Sequence, residues 1–230
     1  MRIDIGRALR VLVLAVWAAF FVWLLISGEV NRYIGPRTQW VVVFGAVALT
    51  VATVAHLLRP VRRPRTTTRD ALGLLAMLVP LIAVLAVPTP SLGSLAASRK
   101  ITGTFTSGVL QPRASDVEDI SFTEIEYASD SAAFAQNLGI ADGLPIELTG
   151  FVNNNVELTD GDFRLTRFSI YCCAADVVPH SVTIEGEAGQ SFEDDQWLTV
   201  TGTLAERDGE FVVVPEEIEE VDEPKNPYLS

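Results

Sequence analysis

Long unbroken apolar runs dominate the chain up to about residue 90, and short alternating segments broken by turn residues follow. The first run spans 8–26 (ALRVLVLAVWAAFFVWLLI), the second 40–58 (WVVVFGAVALTVATVAHLL) and the third 71–87 (ALGLLAMLVPLIAVLAV). Each is close to the roughly 20 residues that a helix rising about 1.5 Å per residue needs to cross a hydrocarbon layer. Three transmembrane helices are therefore expected. The third run is the shortest and carries Pro80. Proline in a membrane helix releases a carbonyl that neighbouring helices must satisfy, so a kinked helix packed on partners is expected, with a re-entrant segment as the alternative. Arg2, Arg7 and Arg10 give the first run the basic start of a secretory signal, but no small-x-small cleavage site follows. It reads as a retained helix.

Beyond the third run, 88–100 (PTPSLGSLAASRK) reads as a polar exit from the membrane, and 91–125 as a linker with room for one strand. Segment 127–139 (YASDSAAFAQNLG) has helix formers, a cap at Ser129 or Asp130 and Gly139 as a stop. Strand-like runs then occupy 145–152, 162–173, 180–188, 196–207 and 210–221, separated by NNN, DG, GQSFEDD and RDG. Alternation is clear in IELTGFV, FRLTRFSIY and WLTVTGTL, and glycine sits inside two of the strands. That pattern predicts a small closed β-barrel of the OB type over 126–222, with a β-sandwich as the alternative. The tail, 223–230, is acidic and proline-broken; it is either solvated or docks its NPYL, with Tyr228, on the barrel or a partner.

Charge sharpens this division. Up to Pro90 there are about ten Lys/Arg against three Asp/Glu; the remainder carries about seven against twenty-six. A membrane region of 1–90 followed by an aqueous acidic domain is implied. Arg59, Arg62, Arg63, Arg65 and Arg69 mark the segment after the second run as cytoplasmic, as do the N-terminal arginines. With three spans, the N-terminus lies in the cytoplasm and the C-terminal domain outside the cell membrane. A domain this acidic repels phosphates, so nucleic-acid binding is rejected. GxSxG, HExxH, phosphate-loop and dinucleotide patterns are all missing, so no enzyme is expected.

The only two cysteines stand together in RFSIYCCAADVVPH, 167–180. A disulfide between neighbours needs a distorted peptide and is rejected as a staple. On a strand the two would point to opposite faces, but AADVVP reads as strand end and turn, which would re-aim both. Cys172, Cys173, Asp176 and His180 together make two thiolates, a carboxylate and an imidazole, a set suited to zinc or another borderline-soft ion. Their spacing matches none of the strong zinc patterns. Three readings stay open: a metal or soft-ligand site, buried structural thiols with Asp176 only capping a turn, and thiol redox exchange.

The stretches LVPLIAVLAVPTPSLGSLAASRK, ELTGFV, FRLTRFSIYCCAADVVPHSVTI, WLTVTGTL and NPY together resemble the YcgQ-type bacterial membrane proteins. The likeness covers most of the chain, and RF…CCAAD…P is its specific part. It implies an accessory subunit beside a multi-span permease of the YcgR type, and an association with metal handling. It carries over Arg167, Cys172, Cys173 and Asp176 as the centre of the outer domain, but not His180. The function expected is thus a non-enzymatic permease subunit whose outer domain binds a zinc-like ion. The alternatives are a thiol-redox membrane protein and a structural assembly factor with buried cysteines.

Overall fold

Each apolar run folds as helix. The structure, a computed structural model, describes residues 5–58, 67–86, 92–101, 120–155, 158, 161–186 and 191–229. It divides into two compact units, Met1–Pro90 and Ser91–Ser230. In the first unit, Gly6–Ser27, Pro36–Leu58 and Thr68–Ala86 are long and apolar enough to cross a membrane. Helices α1 (Ile5–Ser27) and α2 (Gln39–Leu58) pack together, with Leu24, Val30 and Val42 buried near their connection. At the other end Arg7 donates to the carbonyls of His56 (2.9 Å from Nη2) and Leu57 (2.7 Å). Those carbonyls lie in the last turn of α2 and have no partner within the helix, so the guanidinium caps it and fixes α1 and α2 antiparallel.

The third span is two helices, α3 (Thr68–Ala76) and α4 (Val79–Ala86). It starts before position 71 because Thr67 and Asp70 form a capping box: each side chain accepts the other's backbone N–H, at 3.3 and 3.0 Å. It breaks at Met77 and Leu78, just ahead of Pro80. The carbonyl of Met77 accepts the indole N–H of Trp17 at 3.1 Å, so α1 satisfies a polar group at the break. The basic residues Arg59, Arg62, Arg63 and Arg65, and the strand expected in the linker, lie outside the described residues.

In the second unit, the stretch expected as a polar exit is helical from Ser94: α5 spans Ser94–Ile101. Tertiary contacts explain the difference. Ala97 is fully buried among aromatic side chains, and the Asp195 carboxylate takes the Ser94 N–H at the start of the helix. The single helix expected over 127–139 is two, α6 (Phe122–Asp130) and α7 (Ala132–Leu138). Glu124 reaches back to the Ser121 N–H (3.1 Å) to start α6. Ser131, rather than Ser129 or Asp130, caps α7 by accepting the Phe134 N–H, and Gly139 closes it at φ 70°.

Five strands close a barrel: β1 (Pro145–Asn153), β2 (Phe163–Ser169), β3 (Val178–Ile184), β4 (Trp197–Arg207) and β5 (Glu210–Glu220). Their order is β1–β4–β5–β3–β2, and β2 returns to β1. Only β3–β5 is parallel within the ring. That is the connectivity of an OB-like barrel, and closure removes the sandwich alternative. β1 serves two neighbours, pairing with β4 over Pro145–Phe151 and with β2 over Phe151–Asn153. Gly150 makes this possible, since a Cβ there would lie 2.7 Å from the Thr166 carbonyl oxygen. Gly202 sits at the register shift of β4 against β5, where a Cβ would meet the Val214 carbonyl oxygen at 2.2 Å.

Inside the barrel, Leu148, Leu165, Val182, Ile184, Leu198, Val200, Leu204 and Val213 pack with Phe122 and Ile125 of α6. Each such side chain contributes about 1.5–3 kcal/mol on burial. A separate aromatic cluster joins Phe151, Phe168, Trp197 and Tyr228, and Ile170 and Val177 belong to it. Tyr228 comes from β6 (Tyr228–Leu229), a short strand of the tail added parallel to β2.

Candidate metal centre

The thiols sit on the connection between β2 and β3, whose register runs from Phe163↔Ile184 to Ser169↔Val178. The alternation in FRLTRFSIYCC predicts a strand to 173, but β2 ends at Ser169. The reason is Asp176. Its carboxylate accepts the backbone N–H groups of Tyr171 (3.0 Å), Cys172 (2.9 Å) and Cys173 (3.2 Å). Its own N–H donates to the Cys173 carbonyl at 2.9 Å. Donors that a strand would offer to a neighbour are drawn onto one side chain, and the backbone folds into a tight loop around it. Buried Ile170 and Val177 anchor the two ends of that loop in the aromatic cluster.

Cys172 and Cys173 are half-buried thiols. One ligand atom from each, with one carboxylate oxygen of Asp176, all lie within 4.8 Å of one another. The hydrogen bond to Asp176, then the one to Cys173, pushes the Cys172 thiol up to about 11. Burial tends to raise the Asp176 carboxyl, but the Cys172 thiol and the backbone N–H groups outweigh it and hold the group below the usual carboxylate range. At neutral pH the loop therefore holds a carboxylate with a protonated thiol donating to it. Two thiols and a carboxylate match the donor chemistry of a zinc-like ion, provided the ion displaces the thiol protons.

His180 lies elsewhere. It is buried in β3 opposite Arg167, with Nε2 2.8 Å from Ser169 Oγ and Nδ1 on the Glu126 carboxylate of α6. A carboxylate only accepts, so the contact with Glu126 assigns a proton to Nδ1. The imidazole is thus absent from the thiol cluster. Sequence reasoning missed both partners of His180. Ser169 stands just before the thiols, but nothing in the pattern links Glu126 to a residue 54 positions away.

Arg167 anchors the other side of β2. Its Nη2 donates to the Asn226 carbonyl (2.9 Å), Nη1 to that of Thr149 (3.2 Å) and Nε to that of Pro227 (3.4 Å). The guanidinium carbon stands 6.0 Å from the Trp197 ring centre. Burial pulls its pKa down, yet the group stays a cation because guanidinium loses its proton only far above neutrality. Its targets are backbone carbonyls, so it ties the tail to the barrel rather than facing the thiols.

Fold and loop define a class: a protein with membrane-compatible helices and an OB-like barrel that presents a thiol–carboxylate loop. The chain belongs to DUF1980, its residues 9–102 matching the DUF1980 N-terminal domain and residues 106–229 the DUF1980 C-terminal domain. No curated protein and no solved structure matches it significantly.

Proposed function

We propose that this protein is a non-enzymatic, membrane-anchored subunit that binds a zinc-like ion on its barrel domain and works beside a permease. The observation that carries the reading is the convergence of Cys172, Cys173 and Asp176 within 4.8 Å on one loop shaped by Asp176 itself. The three apolar helices anchor the chain in the plasma membrane. Arginines at the start of α1 and after the end of α2 favour a cytoplasmic N-terminus and an extracytoplasmic barrel. The partner, a multi-span permease of the YcgR type, comes from the resemblance to YcgQ-type proteins.

Two other readings lose ground on specific observations. With its thiol raised to about 11 by the Asp176 carboxylate, Cys172 rests protonated at neutral pH, a poor state for thiol exchange through that sulfur. Both cysteines are only partly buried, which does not suit thiols kept only as buried packing groups. Elemental analysis of the detergent-purified full chain after zinc loading tests the reading. One zinc per chain is expected. Cys172→Ser/Cys173→Ser should weaken binding by more than the roughly 10–100-fold that losing an outer-shell partner costs. Equal zinc content in the wild type and the double variant would sink it.

A further inference from the structure

The donors at Cys172, Cys173 and Asp176 lie within five consecutive positions of one hairpin loop. A segment that short approaches an ion from one side only. A tetrahedral ion with zinc–sulfur bonds of about 2.3 Å has ligand–ligand edges of about 3.8 Å. Donor atoms already within 4.8 Å of one another therefore form one face of that tetrahedron after closing by about 1 Å. The three donors leave the fourth vertex unfilled.

His180, the fourth donor that the sequence offers, cannot fill it in place. One ring nitrogen is bonded to Ser169 and the other to Glu126, and the residue is only 5% exposed on a paired strand. Among the described residues, no other His, Cys, Asp or Glu completes the cluster. Structural zinc sites close all four positions with protein ligands, whereas sites that exchange ligands keep one open.

We infer that the loop is an exchange site: it holds a zinc-like dication on three ligands and leaves the fourth position to an exchangeable neutral donor. This rests on the metal-binding reading above. Binding releases two thiol protons to solvent. Two thiolates and one carboxylate then bring three negative charges to a dication, leaving a net charge of −1. A neutral donor completes such a site without adding to that charge, and free imidazole, a common metal ligand, is the probe for it.

Cobalt(II) titrated into the full chain in detergent is the test. One cobalt per chain should give a near-ultraviolet thiolate-to-metal band that is lost in Cys172→Ser/Cys173→Ser. Added imidazole should then shift the visible cobalt bands, and equally so in His180→Gln. Visible bands unmoved by imidazole in the wild type but responsive in His180→Gln would make His180 the fourth ligand and overturn the inference. Insensitivity in both proteins would show a closed site, with the same consequence. A shift with a small thiol but none with imidazole would overturn the donor assigned. Absence of any cobalt band would instead remove the metal reading itself, a failure distinct from these.

Discussion

Asp176 decides how the thiols present themselves. One carboxylate gathers three backbone N–H groups and the Cys172 thiol, so it shapes the loop and sets the proton affinity of the sulfur together. The sign of the effect follows. A negative acceptor favours the protonated thiol, which lifts Cys172 from its ordinary value of 9.0 to about 11. A thiol raised in the folded state contributes stability fully below pH 9.0, and that contribution fades as pH climbs toward 11. Asp176 behaves conversely. Lowered below 3.8, it supports the loop across the neutral range and gives way only as pH falls through that depressed value. In a Cys173→Ser background, alkylation of Cys172 by iodoacetamide should therefore stay slow at neutrality and rise steeply only in alkali. Asp176→Asn keeps an oxygen for the backbone donors but removes the charge, so the midpoint should move down in pH. An unchanged or higher midpoint would show that the carboxylate does not control the thiol.

The β2–β3 hairpin and the tail strand β6 form the element on which the loop stands. β6 is only two residues long, so its single ladder cannot hold it; Arg167 does so through the carbonyls of Asn226 and Pro227 while Tyr228 fills the aromatic cluster. Arg167→Ala would strand carbonyls that are now satisfied and should cost about 1–3 kcal/mol. Arg167→Lys should rescue little, since a point charge cannot fork to three acceptors. Hydrogen exchange at Leu229 and denaturant unfolding of the barrel would read this; full protection of Leu229 in Arg167→Ala would refute it. The strands themselves were legible because alternation and two interior glycines, Gly150 and Gly202, are local signals of a closing barrel. The end of β2 was not: SIYCC continues the alternation, and only a side chain further along the sequence overrides it. Helix α5 and the partners of His180 were hidden for a related reason. Each depends on contacts with residues distant in sequence, Asp195 for one and Glu126 for the other, which no window on the sequence reveals.

At the scale of the molecule the side of the membrane that the loop faces decides its chemistry, because a thiol site outside meets oxidising conditions that the cytoplasm does not supply. Arg7 capping the last carbonyls of α2 brings the start of α1 and the end of α2 to one end of the helical pair. In the sequence, the arginines at 59–69 come directly after α2. Such charge is retained in the cytoplasm. The third span, though broken at Met77, is long enough to cross, with its exposed carbonyl satisfied by Trp17. On the proposed topology of three crossings, the barrel is expected on the face opposite the N-terminus. With Cys172 and Cys173 replaced by serine and a single cysteine placed at Ser230, a membrane-impermeant maleimide should label intact cells. Labelling only after lysis would put the barrel in the cytoplasm. The third helix would then re-enter rather than span, and the thiols would face a reducing compartment.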